Sequence, residues 1–386
     1  IATYALFSLG LNLQWGFTGL INFGHIAFMT LGAYTTVLLS IKGVPLIVAA
    51  LAGGLLAACL GLLIGLSTLR LREDYLAIVT IGVSEVVRLI ATNEEQLTYG
   101  TRGVVGFPLP LNDGDLNIVL KVGMSGILTA ILGISVWKLW QWMSQLPQGN
   151  HLKSQNRTVL LFSGYVFCLA LLVLTLWLGL SVGSGFLALA IAPLGLGMTL
   201  PYFGLENSLA QIKTQSWNSH LALGFSTLAF GFAGMVYWAN LMGLWENYNY
   251  KAGLLWLLIV AVALVFWRLQ ALVNSPWGRV LKAIREDEEV AKALGKNVFR
   301  YKLQSLMMGG AIAGLAGAFY AWQLTFINPD GFVPLVTFNA WIIVVLGGSG
   351  NNVGTLLGAA IFWAYDALTR LVLPSILHLD SARLGA

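Results

Sequence analysis

This chain of 386 residues is expected to fold as an all-α, polytopic integral membrane protein, and three observations predict it. Hydrophobic residues make up 58% of it and charged residues only 10%, with a mean hydropathy of +0.79. A soluble chain carries about a quarter of its residues charged. Apolar runs also recur at the length of about 20 residues that a helix needs to cross a bilayer. Finally, charge is concentrated in one long stretch, NSPWGRVLKAIREDEEVAKALGKNVFRYK at 274–302, set between two such runs.

Cut by length, the runs fall at 1–15, 25–41, 45–69, 74–91, 117–140, 157–179, 182–204, 220–241, 252–268, 303–325, 335–347 and 355–373. The expected architecture is therefore about 10–12 transmembrane or re-entrant helical segments in one transmembrane domain over 1–386. The run at 335–347 is short for a full span and reads as a half-helix or re-entrant segment, tolerated only where protein covers its free backbone groups.

The first forty residues interleave Asn12, Gln14, Thr18, Asn22 and His25 with Gly10, Gly16, Gly19, Gly24 and Gly32. Amides and an imidazole at membrane depth demand hydrogen-bond partners or a wet cavity. Two readings follow: a broken helix pair lining a translocation path, or tight glycine packing with the amides satisfied between helices. Glu85 sits one turn before Arg88 in the fourth run. An intramembrane carboxylate marks a path candidate, whereas an i, i+3 ion pair is the structural alternative. Residues 92–116 form a polar loop with Tyr, Gly and Pro. The middle of the chain, 113–247, carries no polar constellation that points to chemistry.

In the charged stretch, Ser275 and Pro276 suit an N-cap and first helical position, and Gly295 suits a stop. Val280, Ile284, Val290, Ala291, Leu294 and Val298 recur near helical spacing, which gives one or two short amphipathic helices outside the bilayer. Lys and Arg are densest here, so the positive-inside rule assigns 271–302 to the cytoplasm. The net charge of +5 is thereby explained by orientation rather than by nucleic acid. Later, Gly310 and Gly314 make a small-residue packing face, and GGSGNN at 347–352 a turn.

Enzymatic signatures are absent. There is no G-x-x-x-x-G-K-[ST], no H-E-x-x-H and no G-x-S-x-G, and His25, His151, His220 and His378 are scattered. Neither a cofactor nor a metal site is expected. Cys59 and Cys168 lie far apart in apolar runs, without a metal or disulfide spacing.

The Glu-x-Ala-x-x-x-Gly pattern at Glu289, Ala291 and Gly295 resembles the loop by which permease subunits of bacterial ABC importers dock their ATPases. LNLQWGFTGLINFGHIAFMTLGAY, LRLREDYLAIVTIGVSEVVRLI and IIVVLGGSGNNVGTLLGA, with SPWGRVLKAIREDEEVAKALGKN, are similar to the branched-chain and neutral amino-acid permease family, closest to its cyanobacterial-type members. The resemblance implies an inner-membrane importer subunit that is not itself an enzyme. Its partners would be ABC ATPases, a second permease subunit, an extracytoplasmic substrate-binding protein, an amino-acid substrate and the lipid bilayer. On this resemblance Glu289, Ala291 and Gly295 shape the ATPase-coupling element, and Arg285, Glu288 and Lys292 supply rim contacts. A urea or short-amide permease of the same superfamily is the alternative, as is an ATP-independent channel or secondary transporter. With no initial Met and an abrupt SARLGA end, both natural termini are expected to lie outside this sequence.

Overall fold

A computed structural model describes residues 1–69, 73–112, 118–144 and 250–377, with Tyr237, Met242 and Tyr248 as isolated positions. The runs expected at 157–179 and 182–204, that at 220–241 apart from Tyr237, and Arg70, Arg72, His151, Cys168, His220 and His378 lie outside these residues. Two compact units form, one from 1–115 with 248–386 and the other from 116–247. The second holds the apolar helix α6 (Ile118–Ser144), on which the Thr129 hydroxyl lies 3.2 Å from the Tyr237 hydroxyl.

The first unit starts with α1 (Ala2–Leu11), which widens into a π-helical turn, Asn12–Phe17, and then breaks. Gly19 ends it with φ +81°, a left-handed conformation that suits glycine. After a non-helical linker come α2 (Ile26–Ile41), α3 (Leu46–Thr68), α4 (Glu73–Asn93) and the short α5 (Glu95–Thr98). Strand β1 (Val104–Val105) follows. The second half contributes α7 (Tyr250–Asn274), α8 (Pro276–Glu286), α9 (Glu288–Ala293) and α10 (Val298–Leu324). Strand β2 (Phe326–Ile327), α11 (Pro334–Gly347) and α12 (Asn352–Leu377) complete it. The two strands pair antiparallel, Val104 opposite Ile327, and tie the loop after α5 to the end of α10.

Among the described residues five helical stretches are long and apolar enough to cross a membrane: in α3, α4, α7 and α10, and at Pro329–Gly347. Their burial differs. The α10 stretch is 67% buried against 28% for α4 and α7, so α10 is the central post and the other two present broad apolar faces outward.

Small residues make that centre possible, because hydrocarbon-soluble helices associate by close packing rather than by escape from water. A Cβ on Gly32 of α2 would stand 2.4 Å from the Gly314 Cα of α10, and one on Gly53 of α3 would stand 2.7 Å from the Gly32 carbonyl oxygen. The backbones of α2, α3 and α10 thus touch directly.

Candidate functional site

The charged stretch folds as two helices rather than one. Ser275 is extended and Pro276 takes the first turn of α8, where its missing N–H costs nothing. Leu281 and Ile284 are buried while Arg279, Lys282 and Arg285 are exposed. The break comes at Asp287, extended at φ −156°, whose Oδ1 accepts the N–H groups of Glu289 (2.9 Å) and Val290 (3.0 Å) and so starts α9. Glu288 and Glu289 in the first turn and Lys292 in the last complement the helix dipole.

Charge fixes the inner side of α9. Glu288 accepts from Lys302 of α10 at 2.5 Å and pairs with Lys292 at 3.0 Å, and Lys292 also reaches Glu289 at 2.9 Å. Partial burial pushes the Glu288 carboxyl up, but its bonds to Lys302 and Lys292 outweigh that and hold it below the ordinary carboxylate range. Glu289, then Glu288, raises the Lys292 ammonium. Ala291 is buried against Ile284 and Val298, with Val280 and Tyr301 packed around them. The outer side is bare: Val290 is 55% exposed and Leu294 71%. Gly295 follows at φ +74°, and a Cβ there would meet nothing within 4 Å.

A second polar constellation lies at the broken helix. Asn12, Gln14, Asn22 and His25 are all buried, and every one has a protein partner. Asn22 donates to Gln14 Oε1 at 2.8 Å and accepts from the Gly24 N–H at 3.0 Å, while Gln14 donates to the Leu306 carbonyl of α10 at 3.0 Å. Asn12 donates to Asn352 Oδ1 at 3.1 Å and accepts from the Gly350 N–H at 2.9 Å. His25 places Nε2 3.2 Å from the Phe7 carbonyl oxygen, so that nitrogen carries the proton, and its ring packs against Phe7 and Phe28. The linker is held from outside by Thr80 Oγ1 on the Phe23 N–H, Thr337 Oγ1 on the Ile26 N–H and Trp341 Nε1 on the Asn22 carbonyl.

Arg285 joins the two regions. Its Nη1 donates to the Gly16 carbonyl at the end of the π-helical turn, and its Nη2 donates to Ser349 Oγ at 3.2 Å. Glu288, Glu289, Ala291, Lys292 and Gly295 share α9 and its C-terminal turn, while Gln14 and Asn22 bond each other directly. Glu85 is engaged with Arg88 at 2.8 Å. Thr80, Thr337 and Trp341 escaped sequence reasoning, Asn352 was read only as part of a turn, and Lys302 was visible only as one charge among many. The run Asn351–Asn352 after three glycines was the one usable signal.

Residues 1–154 and 156–384 match the model of a family described as the permease component of the branched-chain amino acid transport system. Among curated proteins the chain is 26% identical over 371 residues to the high-affinity branched-chain amino acid transport system permease protein LivM of Escherichia coli, covering 95% of this chain and 61% of that protein. A probable LivM of Methanocaldococcus jannaschii is 36% identical over 104 residues, 27% of this chain and 30% of its own. The fructose import permease protein FrcC of Rhizobium meliloti is 30% identical over 119 residues, 30% of this chain and 33% of its own. The chain therefore spans 61% of the length of the Escherichia coli relative. No solved structure matches.

Proposed function

This chain belongs to the family of branched-chain amino acid transport permeases, and on that premise we propose that it is the membrane-spanning subunit of an ATP-energised importer of branched-chain and other neutral amino acids. ATP hydrolysis belongs to partner ATPases, an external protein delivers the substrate, and a second permease subunit completes the path. The observation that carries the reading is the build of α9. Its inner side is fixed by the Asp287 cap, the Glu288–Lys302 bond and the buried Ala291, while its outer side offers bare Val290, Leu294 and Gly295. A stiff element with an exposed apolar tip suits a partner that pushes on it, whereas a merely solvated loop gains nothing from exposing Leu294.

Orientation follows. With 271–302 in the cytoplasm, α10 runs outward, and the β1–β2 ribbon lies on the outer face where both of its loops are expected. The broken helix at 12–25 is the moving part of the path. A discontinuous helix at depth supplies backbone and amide groups for a polar solute. Here those amides are occupied by one another and by α10, so carrying an amino acid requires exchanging the Gln14–Asn22 and Gln14–Leu306 bonds for bonds to water or substrate. Movement of α9 under the ATPases, passed to α8 and α10, drives that exchange.

Uptake of labelled leucine, alanine, proline and urea in cells with and without the gene tests the proposal. Loss of amino-acid uptake alone supports it, and loss of urea uptake alone moves the substrate to a short amide.

A further inference from the structure

Among the described residues, Arg285 of α8 bonds both the end of the π-helical turn and the 347–352 turn, beside Lys282, which lies 5.8 Å over the Phe17 ring. From α8, the guanidinium of Arg285 reaches the Gly16 carbonyl on one side and the Ser349 hydroxyl on the other, bridging the end of the π-helical turn and the turn between α11 and α12. Neither acceptor is isolated. The next residue, Gly350, donates its N–H to Asn12 Oδ1 at 2.9 Å, and Asn12 donates to Asn352 at 3.1 Å. Asn352 in turn donates to Gln270 Oε1 of α7, at 3.2 Å, four residues before that helix ends ahead of α8. The bonds therefore close a loop that leaves α8 through Arg285, crosses the broken helix and α12, and returns through α7.

Glycines lie close against one side of the guanidinium. A Cβ on Gly350 would stand 2.8 Å from Arg285 Nη1 and 2.7 Å from the Gly16 carbonyl oxygen, and one on Gly16 would stand 2.0 Å from Asn12 Oδ1. A Cβ on Gly19 would lie 3.5 Å from Arg285 Cγ, an ordinary van der Waals contact, so the stem is less tightly flanked than the head. Although Arg285 is exposed, its two acceptors suit a planar donor fork that can bond both at once.

We infer that Arg285 is the positioning residue that couples the docking helices to the translocation path: it holds the broken helix and the 347–352 turn in register with α8, so that a displacement of α8–α9 is delivered to Asn12 and the amides beyond it. The inference deepens the importer reading and rests on it. It assigns Arg285 an inward, force-carrying role in place of a contact on the rim of the ATPase. Charge-assisted bonds to a carbonyl and a hydroxyl are stronger than neutral ones, which lets one side chain carry the connection. Lysine keeps the charge but, as a point donor on a flexible stem, cannot hold both acceptors in one plane.

The test uses the whole importer in proteoliposomes, with labelled leucine and its external binding protein as probes, and reads leucine carried per ATP hydrolysed. Arg285→Gln is expected to keep its ATPase subunits through purification while that ratio falls about tenfold, the size of an ordinary coupling free energy. Arg285→Lys should fall between this variant and the wild type, and Ser349→Ala, which removes one bond from a turn, should lower the ratio about twofold or more. An unchanged ratio in Arg285→Gln, or loss of the ATPase subunits from that variant, overturns the inference, the second outcome making Arg285 a docking contact. Should Arg285→Gln fail to fold, Ser349→Ala decides, and a ratio equal to wild type there is equally fatal. A wild type that retains no ATPase and carries no leucine refutes the importer reading itself.

Discussion

Replacing Gly32 by alanine tests whether the bundle is centred on direct backbone contact. The added Cβ would stand 2.1 Å from the Gly314 carbonyl oxygen and 2.4 Å from its Cα. Carbon atoms rest at about 3.5 Å or more, so α2 and α10 must part by about 1 Å or shift along each other. Overpacking costs about 1–3 kcal/mol, and because the obstacle here is backbone, which cannot swing aside, the upper end of about 3 kcal/mol applies. For a chain of 386 residues, whose unfolding entropy is about 0.8 kcal/mol/K, that lowers the melting temperature by about 4 °C. Gly82 on the exposed side of α4 is the control, since a Cβ there meets nothing within 4 Å. Alanine at that site should be neutral or stabilising by up to about 1 kcal/mol through helix propensity. The assay is thermal unfolding of purified protein in one detergent at one scan rate, because such transitions are often irreversible and depend on rate. Equal melting of Gly32→Ala and wild type, or an equal loss in both variants, would refute the close-packed centre.

Three further outcomes are expected. Asn12→Ala strips the buried Asn352 oxygen of its donor and should cost about 1–3 kcal/mol in thermal unfolding, with Asn12→Ala/Asn352→Ala costing less than the sum of the single changes. Glu85→Gln, which breaks a partly exposed i, i+3 pair with Arg88, should cost less than about 1 kcal/mol and leave leucine uptake intact; lost uptake in a stable variant would put Glu85 in the path. Glu288, whose carboxyl is held below its ordinary range, stabilises α9 fully above the pKa of an unfolded glutamate, and this is lost as pH falls through the lower, folded value. Hydrogen exchange of 288–294 should therefore separate Glu288→Gln from wild type at neutral pH and converge in acid, and a gap that widens on acidification would contradict the assignment.

Much of this fold is written in run length and punctuation. Sequence bounds of 45–69 and 335–347 meet Leu46–Thr68 and Pro334–Gly347, because proline cannot be placed inside a helix and glycine ends one cheaply. Gly295 stands out for the same reason, and the Glu85–Arg88 pair could be read because its partners are one turn apart. The π-helical turn at Asn12–Phe17 could not, since hydropathy does not register a local widening. Nor could the partners of Asn12 or Asn22 be read, because an amide at membrane depth announces that it needs a bond and not with whom. Asn352 lies 340 positions from Asn12, and only the packed bundle brings them together. Arg285 carried a further ambiguity: as one cation in a charged face it looked like its neighbours, and its inward aim depends on where the 347–352 turn arrives.

In the proposed importer, force from partner ATPases enters at the tip of α9. ATP-driven leucine uptake into proteoliposomes holding the assembled importer, compared between wild type and Gly295→Trp, tests it most directly. At φ +74° any side chain costs about 1–2 kcal/mol locally, and the open space around Gly295 lets the indole point outward, so the bundle should stay folded while the docking tip is blocked. A folded, membrane-inserted variant that loses both its ATPase subunits and its uptake is expected. Wild-type uptake by that variant, with the indole in place, would contradict it.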